Sequence, residues 1–186
     1  MQEHQAYEID QILQEMRADY WRNLEAVSET AGGAVCEYLV VRCGSKRYGL
    51  PAANCREVLK LPRLVRVPRL PEHLRGIFNL RGEIVAVTDL SALLGQGVQS
   101  LHDHFRLVVV EEKSIKTALL VEIVEGLTGI TREQVEPLAT GAGSGARDLI
   151  AGKVVQGEDV LVLLELARLL ERPELVVDQK KQSDIR

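Results

Sequence analysis

The sequence predicts a mainly β fold, a barrel or sandwich of about eight to ten short strands. Three observations carry that prediction. Short apolar runs rich in Val, Leu and Ile are separated by turn signals at intervals of roughly 8–12 residues. No long helical pattern stands between them, so a parallel α/β sheet is not expected. A helical periodicity in the opening segment stops at Gly32-Gly33, where the texture changes.

The opening segment is read as an amphipathic helix. Ile9, Ile12, Leu13, Met16, Tyr20, Leu24 and Val27 recur at spacings of three and four, with acids and amides between them. Its apolar face must bury against the barrels, a second copy or a partner. A strand from Glu37 to Cys43 and another from Lys46 to Leu50 flank Gly44-Ser45, a turn in which Gly supplies a positive φ. Pro51 stops the second strand, having no N–H for a ladder. Ala52 to Cys55 suits a helical turn leading into Arg56–Leu61. Pro62, Pro68 and Pro71 then make residues 62–73 an irregular connection.

Gly76 to Leu80 and Glu83 to Thr88 pair across Arg81-Gly82, and a short helix follows at Leu90 to Leu94. Arg106 to Glu111 and Ile115 to Glu122 form a hairpin around Lys113-Ser114. Gly126 and Gly129 predict a bulged or bent strand over Ile123 to Ile130. Ala139 to Gly145 is expected to be a loop. Leu149 to Gln156 pairs with Val160 to Leu164, a last helix runs from Leu164 to Glu171, and a polar tail closes the chain. The divisions are residues 1–34, 35–173 and 174–186.

Of 186 residues, 46% are hydrophobic but only 4% aromatic, so the core must be aliphatic. No apolar run approaches the ~20 residues that span a bilayer, and the polar, acidic MQEHQAYEID has no signal-peptide pattern. A soluble, cytoplasmic chain is expected. Cys36, Cys43 and Cys55 are odd in number and form no C-x-x-C pair, so they are read as small apolar fillers. The net charge of −4 is unevenly spread. Residues 1–35 hold seven acids and two bases, whereas residues 36–82 hold ten bases and three acids.

No catalytic constellation is visible, and no cofactor or metal is expected. His102 and His104 flank Asp103 without a third ligand at a workable spacing. Gly141 to Gly145 lacks the Gly-Lys-Ser/Thr of a phosphate loop. The acids Glu111, Glu112, Glu122 and Glu125 follow strand polarity and read as solvent-facing. The basic segment 36–82 admits one rival function, single-stranded nucleic-acid binding by a barrel. Tyr38, Tyr48 and Phe78 are its only aromatics, and two of them lie in apolar runs.

The stretch LRGIFNLRGEIVAVTDL, from Leu74 to Leu90, resembles the signature of CheW-like domains. YLVVRCGSKRYGLPAANCREVLKL upstream resembles the family's first hairpin. ALLVEIVEGLTGI matches a later strand, with Glu122 where Asp is usual, and LIAGKVVQGEDVLVLLELARLL matches the closing hairpin and helix. The likeness is collinear over roughly residues 36–172.

The resemblance implies two intertwined five-stranded barrels of SH3-like form, here with an N-terminal helical extension and a short C-terminal helix. It implies a non-enzymatic adaptor of the stand-alone kind, coupling chemoreceptors to the histidine kinase CheA. The implied partners are the cytoplasmic tip of methyl-accepting chemoreceptors, the CheA regulatory domain and other CheW-like domains. Nucleic-acid binding and membrane insertion are not implied; recruitment to membrane-associated receptor arrays is.

By the same resemblance, receptor contact falls on Arg81, Glu57, Cys55, Val58 and Gly76, although Cys55 replaces an expected aliphatic residue. Asn79, Leu80, Gly82 and Asp89 form the structural turn of the motif. Asn79 is read as a turn former and Asp89 as a cap for the helix at Leu90. Arg81 has two readings, an outward contact residue or an internal tie to Glu57 or Asp89.

Overall fold

The computed structural model describes residues 34–113, 115–137, 146–157 and 159–171. The expected N-terminal helix, the loop at Ala139 to Gly145 and the C-terminal tail lie outside these residues. Ten strands run in order: β1 Val35–Cys43, β2 Lys46–Pro51, β3 Cys55–Lys60, β4 Leu74–Leu80, β5 Glu83–Asp89, β6 Arg106–Glu112, β7 Ile115–Val121, β8 Ile123–Thr131, β9 Ile150–Gln156 and β10 Asp159–Leu164. Two short helices, α1 Leu90–Leu93 and α2 Leu166–Leu170, follow β5 and β10.

The strands form two five-stranded sheets, ordered β8-β1-β2-β10-β9 and β3-β6-β7-β5-β4. Within each sheet one pair is parallel, β2 with β10 and β5 with β7; the other pairs are antiparallel. Each sheet curls until its edges meet. Val65, beyond β3, exchanges backbone hydrogen bonds of 2.8 and 2.9 Å with Ile77 of β4, and Glu136, beyond β8, does the same with Lys153 of β9. Closure satisfies backbone groups that an open edge would leave unpaired. The two barrels are intertwined because the first takes β1 and β2 from one end of the domain and β8 to β10 from the other.

The barrels repeat one plan. Gly76 and Gly152 each precede the closing residue, Ile77 or Lys153. A Cβ on Gly76 would lie 2.5 Å from the Val65 carbonyl oxygen; one on Gly152 would lie 2.6 Å from Val135 Cγ1. The strand after each closure leads through a two-residue turn into β5 or β10, then into a short helix.

Burial explains the apolar texture. Leu107 and Val109 of β6 point into the second barrel, while Val108 and Val110 face a seam shared by both barrels. In β7, Ala118 and Leu120 point inward and Leu119 and Val121 face the seam. Strands buried on both faces read as continuous apolar runs, as these do. By contrast β3 alternates half-buried with exposed residues. Leu39 and Val41 of β1, Leu50 of β2, and Leu90, Leu166 and Leu169 complete the seam, all of them buried.

Small differences from the expected boundaries have local causes. The last helix begins at Leu166, two residues later than expected, because Leu164 still pairs with Ile150 and the Glu165 N–H donates to Leu149 O at 2.8 Å. Leu149 itself ends a 3-10 turn, Ala146–Leu149, so β9 starts one residue later. β8 bulges where Val40 pairs with Gly126 and Val41 with Val124, leaving Glu125 as the extra residue.

Candidate functional site

The motif residues meet at the β4–β5 turn. The Asn79 side-chain oxygen accepts a hydrogen bond from the Gly82 N–H at 2.8 Å, as a turn former should. Arg81 and Gly82 both have positive φ, 53° and 95°, the geometry of a tight two-residue hairpin. Gly157 holds the place of Arg81 in the β9–β10 turn, with φ 66°. A left-handed non-glycine residue costs about 1 kcal/mol or more. Glycine at position 81 would relieve that cost, which Arg69 and Lys113 also bear, with φ 63° and 47°.

The Arg81 side chain leaves the turn for solvent and is 79% exposed. One guanidinium nitrogen donates to Glu57 Oε2 at 2.9 Å, which leaves most of the fork free. Of the two internal partners the sequence allows, the structure selects Glu57. Asp89 is taken by Arg75, whose Nη1 lies 3.2 Å from Asp89 Oδ2. Asp89 is buried, and its other oxygen accepts from the Ala92 N–H at 3.1 Å, capping α1.

Glu57 reaches Arg81 through a bulge. Cys55 pairs with Val110 and Glu57 with Val109, so Arg56 is the extra residue of β3. Val58, next along the strand, is 43% exposed. The Arg81–Glu57 pair lies at the surface, and Val58 is exposed on the neighbouring position of β3. Gly76 and Cys55 contribute differently. Gly76 is buried against the Val65 backbone, and Cys55 packs on the seam with its thiol 3.5 Å from Pro51 O. Leu80 is half-buried against the interior of the second barrel.

Burial pushes the thiols of Cys43 and Cys55 up to about 11. Cys36 is exposed. Since thiolate is the reactive form, a disulfide reagent at pH 8 should label one thiol per chain quickly, with the other two slower by about 100-fold. Three equal rates would contradict the filler role of the buried pair.

The acids read as solvent-facing lie at the surface and also pair within the chain. Glu111 pairs with Arg56 at 3.1 Å, and the Glu122 carboxylate accepts from the Gly44 N–H at 2.8 Å. Glu112 accepts from the Asn54 side-chain amide. Glu125 accepts from Arg42 Nε at 2.9 Å and Arg47 Nε at 2.8 Å. Partial burial pushes the Glu125 carboxyl up, but the two guanidiniums outweigh it and hold it below the usual carboxylate range.

These pairs occupy half of the basic segment. Arg42, Arg47, Arg56, Arg75 and Arg81 all face carboxylates of the same chain. Tyr48 and Phe78 are buried and Tyr38 is half-buried, so the segment offers no exposed stacking platform. His102 and His104 stack with ring centroids 5.4 Å apart. Among the described residues no group of three His, Cys, Asp or Glu side chains is placed to hold a metal.

A two-barrel body presenting a charged turn has the form of a binding scaffold, and among its described residues no catalytic groups converge. The chain belongs to the CheW-like domain family, whose model matches residues 37–174. It is a non-catalytic adaptor of chemotaxis signal transduction.

It is similar to Chemotaxis protein CheW of Klebsiella aerogenes, 27% identical over 155 residues, 83% of this chain and 93% of that protein. It is also similar to Protein FrzA of Myxococcus xanthus, 29% identical over 73% of this chain and 85% of that protein. Protein PilI of Pseudomonas aeruginosa is 28% identical over 70% of this chain and 72% of its own length. Among solved structures, the scaffolding protein TtCheW from Thermoanaerobacter tengcongensis aligns with a TM-score of 0.64 and 26% identity. That alignment covers 72% of this chain and 86% of the other.

Proposed function

We propose that this chain couples the cytoplasmic tip of a methyl-accepting chemoreceptor to the regulatory domain of the kinase CheA, with Arg81, Glu57 and Val58 in the receptor contact. Gly76 and Cys55 support that surface from beneath, and Asn79, Leu80, Gly82 and Asp89 hold the turn. Other CheW-like domains complete the set of partners, and the protein works in the cytoplasm at membrane-associated arrays. No helix among the described residues is long and apolar enough to cross a membrane. The working unit is residues 35–173, flanked by an extension of 1–34 and a tail of 174–186.

The observation that carries this reading is Arg81 itself, an exposed guanidinium kept at a left-handed turn position where Gly157 serves the other barrel. The Glu57 pair is exposed, and such pairs contribute no more than about 1 kcal/mol. Arg81→Ala should therefore leave the melting temperature nearly unchanged while weakening receptor binding by about 1–3 kcal/mol. Arg81→Lys keeps the charge but loses the fork, and should also weaken binding. Arg81→Gly should match or exceed wild-type stability and still lose receptor affinity. Isothermal titration with a receptor-tip fragment, run beside thermal melts, reads both quantities. Unchanged affinity in a folded Ala variant removes Arg81 from the interface.

A further inference from the structure

The connection between β3 and β4 carries a pattern of its own. Lys60, Arg63, Arg66 and Arg69 recur at every third position, and all four are exposed. The next row, Leu61, Leu64, Val67 and Leu70, is shifted by one. Leu61 and Leu64 pack on the interior of the second barrel and Leu70 on the seam. The remaining row is Pro62, Val65, Pro68 and Pro71. Lys60 ends β3, Val65 forms an isolated bridge to β4, and Pro68-Arg69 makes a turn in which Arg69 has φ 63°. Leu61, Leu64 and Leu70 are anchored while Val67 is exposed, and the Val65–Ile77 backbone bonds fix the middle of the segment to β4. The four cations are thus all exposed along a connection that is held at several points.

Among the described residues none of these four cations has a carboxylate partner, although the other arginines of the basic segment do. Val65 beside them is 61% exposed and Val67 is 37% exposed. Four unpaired charges with apolar side chains between them suit an acidic, partly apolar strip. The chain holds one such sequence outside the described residues. Residues 1–33 carry seven acids and two bases, together with Ile9, Ile12, Leu13, Met16, Tyr20, Leu24 and Val27.

We propose that the acidic segment 1–33 docks in cis on the cationic ridge Lys60-Arg63-Arg66-Arg69. Charge complementarity selects it, and the covalent tether raises its local concentration into roughly the millimolar range, far above that of a free competitor. The attraction is between exposed charges and falls with salt. Lys60 is three residues from Glu57, so a docked segment borders the surface proposed for the receptor. This inference stands apart from that assignment, because the ridge and Arg81 can be tested separately.

Zero-length carbodiimide cross-linking of the full chain, read by mass spectrometry, provides the test. Amide links should join Lys60 to acids of residues 1–33 at low salt, and they should fade at about 0.5 M NaCl. Arg66→Lys should add a second linkage site on the ridge. Arg63→Glu/Arg66→Glu/Arg69→Glu should reduce the Lys60 links at least tenfold, and Arg63→Gln/Arg66→Gln/Arg69→Gln should do so less completely. Adding Glu15→Lys/Asp19→Lys/Glu25→Lys to the Glu variant should restore linkage with reversed polarity. Mixing isotope-labelled and unlabelled chains should give unmixed products. Links indifferent to the ridge charges, or products that mix the two labels, would overturn docking in cis. So would capture of the wild-type chain by phosphatidylserine vesicles or oligonucleotides through these same arginines, without internal links.

Discussion

Gly76→Ala is expected to cost about 3–5 kcal/mol of folding stability, enough to lower the melting temperature by roughly 10 °C. Two penalties act together. The residue sits at φ 139°, a conformation that side chains rarely adopt, and its new Cβ would lie 2.5 Å from the Val65 carbonyl oxygen and 3.1 Å from its carbon. The obstructing atoms are backbone, and moving them stretches the two Val65–Ile77 hydrogen bonds that close the second barrel. Gly152→Ala is the matched control. There the nearest atom is a Val135 methyl that can move, with the Glu136 oxygen next at 3.0 Å, so a cost of about 1–2 kcal/mol is expected. Urea unfolding of both variants gives the comparison. Equal losses would show that close backbone approach does not set the scale at Gly76.

Asp89→Ala should lose about 3–5 kcal/mol. The carboxylate is 2% exposed and serves two groups at once, the Ala92 N–H at the start of α1 and Arg75. The cap alone is worth about 1 kcal/mol. The larger part comes from Arg75, whose side chain is only 12% exposed and would keep a charge without its counter-ion. Asp89→Asn keeps an oxygen for the cap and loses the ion pair, so it should fall between Ala and wild type. Arg75→Met added to Asp89→Ala should recover part of the loss, since no buried charge is then stranded. A double variant no more stable than Asp89→Ala alone would put the whole effect in the cap.

The contrast between these sites shows what a linear reading of residues captures. Asn79, Asp89 and the Arg81-Gly82 turn were legible because their chemistry is local: a side chain bonds a backbone N–H three residues on. The strands were legible through apolar runs, and collinear resemblance supplied the two-barrel order. Partner choice was not legible. Arg81 faces Glu57 across 24 residues and Glu125 faces Arg42 across 83, and nothing in the spacing ranks Glu57 above Asp89. Bulges at Arg56 and Glu125 compound this, because one extra residue shifts the register of every side chain beyond it. The three-residue rhythm of Lys60 to Leu70 was open to view in the sequence. The prolines marked residues 62–73 as an irregular connection, and the structure shows one, with a single bridge at Val65 and turns.

The intertwined strand order also sets a timetable for synthesis. Every strand of the second barrel, β3 to β7, lies between Cys55 and Val121, so the whole set is available once that stretch has left the ribosome. The first barrel has no such early option. β1 and β2 are made before everything else described, yet β1 must pair with β8 and β2 with β10, whose last residue is Leu164. At translation rates of about 5–20 residues per second, the nascent hairpin waits several seconds for its partners. Throughout that interval Leu39, Val41 and Leu50 have no finished seam to enter, and both edges of the hairpin are open to a neighbouring chain. Such long-range pairing is slow to form and exposed to misassociation. The first two strands are therefore the part of the fold most exposed to misassociation during synthesis.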